Sequence, residues 1–364
     1  MRIRQTRQKE FMQNMNHDQE VTTDRLEQLL GLAYREGASD VHIEPGADGG
    51  CQVRVRVNGK LERWDALDGT LEQMVSRIKL KARMDIAEKR LPQDGSFQVQ
   101  AADGEAFDVR VSSLPTVHGE KLALRLLQNR ARRSLNELGM DPRQRRLFNS
   151  WIEARHGMVL VTGPTGSGKT TTLYAAMQER AATGLNLSSL ENPVEVKLPG
   201  INQVEISPRT GLSFGVALRS VLRQDPDVLM IGEIRDEESA EVAARAALTG
   251  HLVLTSLHSE SAVSALLRLI DLGVPPQVVA TALRGVIGQR LVETSTGRKA
   301  VFECLPMTES IRQALYQKAD ARELTLRAKK DGVRLLPDVL SDWLDRGEVD
   351  EETFDRIIGE RGLS

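Results

Sequence analysis

The sequence predicts an α/β chain, in which a mainly parallel sheet carries a phosphate-binding loop. A smaller α+β domain precedes it and a small helical subdomain follows. Three observations predict this. Residues 163–170 read Gly-Pro-Thr-Gly-Ser-Gly-Lys-Thr directly after the apolar run Met158-Val159-Leu160-Val161, so the G-x-x-x-x-G-K-[ST] pattern falls where a strand should end and a helix begin. From Trp151 to about Glu293, buried strand-like runs alternate with helical periodicity, as a parallel sheet with crossover helices requires. Upstream, short runs alternate apolar and polar residues around turn signals, the mark of half-buried strands.

Taken in order, residues 1–22 read as a polar arm. A helix over 23–35 follows from Leu26, Leu29, Leu30 and Ala33 at helical spacing, with Gly37 at its end. Asp40–Glu44 and Gln52–Val57 alternate as strands, the second closed by Asn58-Gly59. A helix near Leu71–Met84 and a strand pair flanking Asp103-Gly104 come next, and Leu122–Leu127 completes a domain over 23–128. The arginine-rich stretch 129–147, with Arg130, Arg132, Arg133, Arg143, Arg145 and Arg146, reads as linker leading into the first helix of the next domain. The phosphate-loop core is placed at 148–305 and the helical subdomain at 306–364.

Composition narrows the classes. The 364 residues are 40% hydrophobic and 27% charged, which suits a globular chain of roughly two or three domains. A net charge of −2 and only 4% aromatic residues give no reason to expect nucleic acid as partner. The two cysteines, Cys51 and Cys304, are far apart and lack metal-ligand spacing, so neither a disulfide framework nor zinc is expected. The basic N-terminus runs into polar residues, unlike a secretory signal, and nothing approaches the ~18 consecutive apolar residues of a membrane span. The expectation is a cytosolic protein.

The loop supplies a specific chemistry. Gly163, Gly166 and Gly168 let the backbone of 163–171 curl so that successive N–H groups, among them those of Thr165, Ser167 and Thr171, point at one anion at a helix N-terminus, Pro164 shaping the turn without an N–H of its own. Lys169 carries charge to the β- and γ-phosphates, and the Thr170 hydroxyl can ligate Mg²⁺. Hydrolysis needs carboxylates as well, and two apolar strands end in them: Leu187-Ser188-Ser189-Leu190-Glu191 and Val228-Leu229-Met230-Ile231-Gly232-Glu233. In an open α/β sheet such strand ends open into the ligand crevice. His251 and His258 bracket a third buried strand, and His258, at its carboxyl end, can sense the γ-phosphate.

These strings together resemble the secretion-superfamily traffic ATPases. The four boxes of that family (Walker A, aspartate box, Walker B and histidine box) occur in order at Gly163–Thr170, the Glu191 segment, Gly232–Asp236 and Thr249–His258. The likeness extends into the first domain through Ala38–Pro45, Arg90–Gly95 and Val111–Thr116, and covers roughly residues 25–330.

The resemblance implies a RecA-like P-loop NTPase that hydrolyses ATP with Mg²⁺. It also implies a hexamer that drives pilin or pseudopilin assembly beneath an inner-membrane platform protein of a type IV pilus, competence-type or type II secretion machine. It assigns Glu191 and Glu233 as acid/base and Mg²⁺-organising groups. Arg110 and Arg125 match arginines that in relatives reach toward the nucleotide, an arrangement through which hydrolysis changes the angle between domains. A retraction motor is the alternative, and a nucleic-acid translocase a more distant one. A GTPase is disfavoured, because no Asn-Lys-x-Asp occurs. Three departures stand out: Glu191-Asn192-Pro193 replaces Glu-Asp-Pro, no four-cysteine module follows Gln289-Arg290-Leu291, and the first domain starts near Thr23, short of the longer N-terminal region of relatives.

Overall fold

The computed structural model describes residues 25–359 apart from 47–49, 58, 65–69, 102–103, 105, 128–132, 207–210 and 295–296. The arm over 1–22, Asn58, Asp103, Arg130 and Arg132 lie outside the described residues. The chain divides into two compact units, residues 1–129 and 130–364.

In the first unit, α1 (Arg25–Arg35) leads into β1 (Ala38–Pro45), β2 (Cys51–Val57) and β3 (Lys60–Trp64). After α2 (Leu71–Lys81) come β4 (Gln93–Gln100), β5 (Ala106–Thr116) and β6 (Gly119–Leu127). The six strands form one antiparallel sheet in the order β3-β2-β1-β6-β5-β4. Alternation decides its faces. Val41, Ile43, Val53, Val55, Val109, Val111, Leu122 and Leu124 are buried with Leu26, Leu30, Met74 and Ile78 of the two helices, whereas Asp40, His42, Glu44, Arg54 and Arg56 stand on the opposite side. β3 has no counterpart in the sequence reading. It is a five-residue edge strand with one buried side chain, Trp64, too little pattern to register.

The second unit opens with a 3₁₀ turn (Leu135–Glu137) and α3 (Pro142–Ile152), whose N-cap Asp141 accepts from the N–H groups of Arg143 and Gln144. Leu135, Leu138, Phe148 and Trp151 are buried in the same core as Val159 and Val161. Within the stretch read as linker, Leu135 and Leu138 are thus packed into the core of this unit.

The sheet contains β7 (Gly157–Thr162), β8 (Leu187–Glu191), β9 (Asn202–Glu205), β10 (Val228–Ile231), β11 (Leu252–Leu257), β12 (Leu283–Thr294) and β13 (Gly297–Pro306). Its order is β13-β12-β7-β11-β10-β8-β9, parallel throughout except for β13, which pairs antiparallel with β12. Every residue of β7, β8, β10 and β11 is buried, as a sheet covered on both faces demands.

Successive strand residues enter two cores. Val159 and Val161 pack toward α3 and α4 (Lys169–Ala181). Met158 and Leu160 pack with α5 (Phe214–Val221), α6 (Glu237–Leu248), α7 (Ala262–Asp271) and α8 (Pro276–Ala282). The C-terminal region then divides. Ile311 and Leu315 of α9 (Glu309–Tyr316) and Leu324 and Ala328 of α10 (Ala321–Lys330) join that second core. α11 (Leu336–Asp345) and α12 (Glu351–Gly359) pack in a separate small cluster on Val292 and Val301.

Candidate nucleotide site

The phosphate loop leaves the end of β7 and enters α4 at Lys169. Gly163, Gly166 and Gly168 have φ of 151°, 77° and 91°. Two of them also lie against β12, since a Cβ at Gly163 would sit 2.2 Å from the Gln289 carbonyl oxygen and one at Gly168 2.8 Å from Gln289 Nε2. Gln289 is itself fixed, because the Thr172 hydroxyl donates to its Oε1 at 2.7 Å. The sequence reading passed over Gln289, since its signal lies more than a hundred residues from the loop it supports.

Lys169 Nζ donates to the carbonyls of Gly163 (2.9 Å) and Pro164 (3.0 Å). Burial pushes its pKa below the usual lysine range, while the negative charges of Glu233 and Glu195 work the other way. Ser167 Oγ is buried with no hydrogen-bond partner. A curled glycine loop, a buried ammonium and an orphaned hydroxyl at a helix N-terminus fit an incoming polyphosphate. Thr170 lines the same cleft. Thr171, one residue on, is half-buried.

Opposite the loop, the ends of β8, β10 and β11 are tied together. Gly232 N–H donates to the Leu190 carbonyl (2.8 Å), Ser256 Oγ to the Gly232 carbonyl (2.6 Å), and Ile234 N–H to the Ser256 carbonyl (2.9 Å). Glu233 projects into the cleft between Arg235 (2.8 Å) and His258 Nε2 (3.0 Å). His258 is therefore placed beside a carboxylate, whereas His251 is at the other end of β11, its Nδ1 3.2 Å from the Ala246 carbonyl beside the end of α6. The histidine pair splits into one cleft residue and one structural residue.

Glu191 is in the cleft wall, but the residue is only 3% exposed and both its carboxylate oxygens are engaged. It accepts from the Tyr174 hydroxyl, from Ser189 Oγ (2.5 Å) and from Gln203 Nε2 (3.0 Å). Glu195, four residues on, is exposed, lines the cleft and acts electrostatically on Lys169. The sequence analysis singles out Glu191 and not Glu195. Spacing alone does not distinguish them.

Thus the second unit brings Thr165, Gly166, Lys169 and Thr170 of the loop, with Glu191, Glu195, Glu233 and His258, to one cleft. Arg110 and Arg125 belong to the first unit, directly opposite each other on β5 and β6. Arg125, 70% exposed, donates to Asp40 at 3.0 Å. Among the described residues, no group of three or more His, Cys, Asp or Glu side chains can hold a metal ion. Thr170, which lines the cleft, is the side chain that would hold Mg²⁺ there.

A mainly parallel α/β sheet with this loop and these strand-end carboxylates defines a P-loop ATPase. The family model for type II/IV secretion system proteins matches residues 15–296, and the chain belongs to that family. It is 43% identical over 356 residues to the type II secretion system protein HxcR of Pseudomonas aeruginosa, covering 90% of this chain and 76% of that protein. It is 47% identical over 268 residues to the type II secretion system ATPase E of Vibrio cholerae, covering 73% of this chain and 53% of that one. The chain thus spans about half the length of that relative. Among solved structures, the pilus retraction motor PilT with bound ADP is similar, with TM-score 0.75, 28% identity, and coverage of 91% and 96%.

Proposed function

We propose that this chain is the motor of a pilin- or pseudopilin-assembling machine of the type IV pilus, competence or type II secretion kind. It would act as a hexamer on the cytoplasmic face of the inner membrane, docked there by a polytopic platform protein. The observation that carries the reading is the single cleft holding the phosphate loop, Glu195, Glu233 and His258. Assembly rather than retraction is favoured by the higher identity to type II secretion proteins than to the retraction motor. Among the described residues no helix is long and apolar enough to cross a membrane, which is consistent with attachment through a partner.

In this reading the loop N–H groups and Ser167 hold the phosphates of ATP, and Lys169 exchanges its loop carbonyls for phosphate oxygens. Thr170 would hold Mg²⁺, which would supply positive charge against the transferring phosphoryl. Glu195 and Glu233 flank the γ-phosphate position and order water there, while His258 and Arg235 fix the Glu233 carboxylate. Glu191 shapes the wall, and Arg110 and Arg125 supply the cations that relatives bring from this domain. Lys169→Ala is expected to abolish ATP turnover in the purified chain, measured by phosphate release; unchanged turnover would refute the mechanism. Recovery of a polytopic platform protein on co-purification from native membranes supports the motor assignment. Recovery of DNA-processing partners instead would favour a translocase.

A further inference from the structure

We propose that Tyr174 is a positioning residue for hydrolysis and that Glu191 acts through it. The tyrosine hydroxyl joins the Glu191 carboxylate to the backbone of Glu195 and so fixes the loop that presents Glu195 to the cleft. This rests on the reading that Glu195 acts on the bound nucleotide.

The geometry is continuous. Tyr174 is fully buried in α4, five residues after Lys169. Its hydroxyl donates to Glu191 Oε2 and accepts from the Glu195 N–H at 3.1 Å. Burial and the adjacent Glu191 charge both push the phenol above its ordinary range, so it stays a protonated donor wherever the enzyme works. The other Glu191 oxygen takes Ser189 and Gln203. Gln203 in turn donates from Nε2 to the Val196 carbonyl (2.9 Å) and accepts from the Leu198 N–H through Oε1 (2.6 Å). Glu205 accepts from the Val194 N–H at 3.1 Å.

The 194–198 backbone is thereby held by side chains rather than by a strand ladder. Glu191 is the anchor of that support. All three of its donors are neutral and both its oxygens are engaged, so it serves the loop rather than the metal or the attacking water. The same helix carries Lys169 at its start and Tyr174 within, which sets the loop in register with the phosphate site.

The test uses the full chain with ATP and Mg²⁺. Tyr174→Phe removes one oxygen and keeps the ring. It leaves the Glu195 N–H without this acceptor and Glu191 with one donor fewer. It is expected to lower kcat by about 10- to 100-fold, the scale of a sub-ångström to 1 Å misplacement, with KM for ATP and Kd for a non-hydrolysable analogue within about threefold. In a Glu195→Gln background it is expected to lower kcat no further, because its effect passes through Glu195. Glu191→Gln is expected to follow the same pattern, and stands in should the phenylalanine variant fold poorly. Amide hydrogen exchange over 192–198 should accelerate in both variants while that of α4 stays unchanged. Full kcat in both variants, or an equal further loss in the Glu195→Gln background, overturns the relay. Turnover that survives Glu195→Gln itself overturns the assignment of Glu195, a separate result.

Discussion

At Gly163 and Gly168 the same residue type meets two different obstacles. Each has a left-handed φ that costs a side chain on the order of 1–2 kcal/mol. At Gly168 the Cβ would meet the end of the Gln289 side chain, which can rotate away at the expense of its bond from Thr172. At Gly163 it would meet the Gln289 backbone carbonyl, which belongs to a paired strand and cannot yield. Gly163→Ala is therefore expected to weaken nucleotide binding at least tenfold more than Gly168→Ala, measured with a fluorescent ATP analogue. Equal losses would show that φ alone, and not the approach to β12, sets the requirement. The residue scale also marks where the sequence stops being legible. Lys169, Thr170, Glu233 and His258 are readable because each sits in a contiguous string at a strand end. The different duties proposed for Glu191 and Glu195 are not, because they depend on Tyr174 of α4 and Gln203 of β9 reaching them from two other elements.

At the scale of elements, Glu303 of β13 is a buried carboxylate whose oxygens accept from two helix N-termini, the Ala262 N–H of α7 at 2.6 Å and the Leu336 N–H of α11 at 2.7 Å. Ser261 already caps α7, whereas the α11 cap position is Leu335, which has no polar side-chain atom. Glu303→Ala is expected to cost about 2–4 kcal/mol in denaturant unfolding, as buried charged hydrogen bonds do, with the loss concentrated in α11 and α12. In the first unit, Glu44 accepts from Arg54 (2.6 Å) and Lys121 (2.7 Å). The Arg54 hydrogen bonds, foremost, hold its carboxyl at about 2. Because the folded value is depressed, this stability is complete above the ordinary carboxylate range and is lost as pH falls from about 4.5 towards 2. Arg54→Met should flatten the decline of melting temperature across that window; an unchanged slope would remove Glu44 from the acid response. The elements themselves are legible where pattern is dense, as in β7 and β10 with their apolar runs Met158–Val161 and Val228–Ile231. The edge strands β3 and β9 are not, because an edge buries too few side chains to leave a period. β13 likewise has no counterpart in the sequence analysis, and its antiparallel pairing follows from the two residues between it and β12.

For the molecule as a whole, one row of charges in the first unit bears on the two-domain reading. Arg56, Asp40, Arg125 and Arg110 stand at one register across β2, β1, β6 and β5. Asp40 is 3.0 Å from Arg125 and 4.0 Å from Arg56. Asp40 thus stands beside two arginines, and Arg110 lies directly opposite Arg125 on the neighbouring strand. The Arg125 guanidinium, 70% exposed, is open to an anion from outside the sheet. If that anion is the γ-phosphate, the arginines matter to turnover and little to nucleotide capture, which belongs to the loop at 163–170. Arg125→Ala and Arg110→Ala are each expected to lower kcat by 10²-fold or more, within the range known for cations supplied to a transferring phosphoryl, while Kd for a non-hydrolysable analogue changes less than threefold. Asp40→Asn should leave turnover intact, since it releases Arg125 without removing it. If the arginines merely balance Asp40, the order reverses: all three substitutions shift the melting temperature of the first unit, and none changes phosphate release.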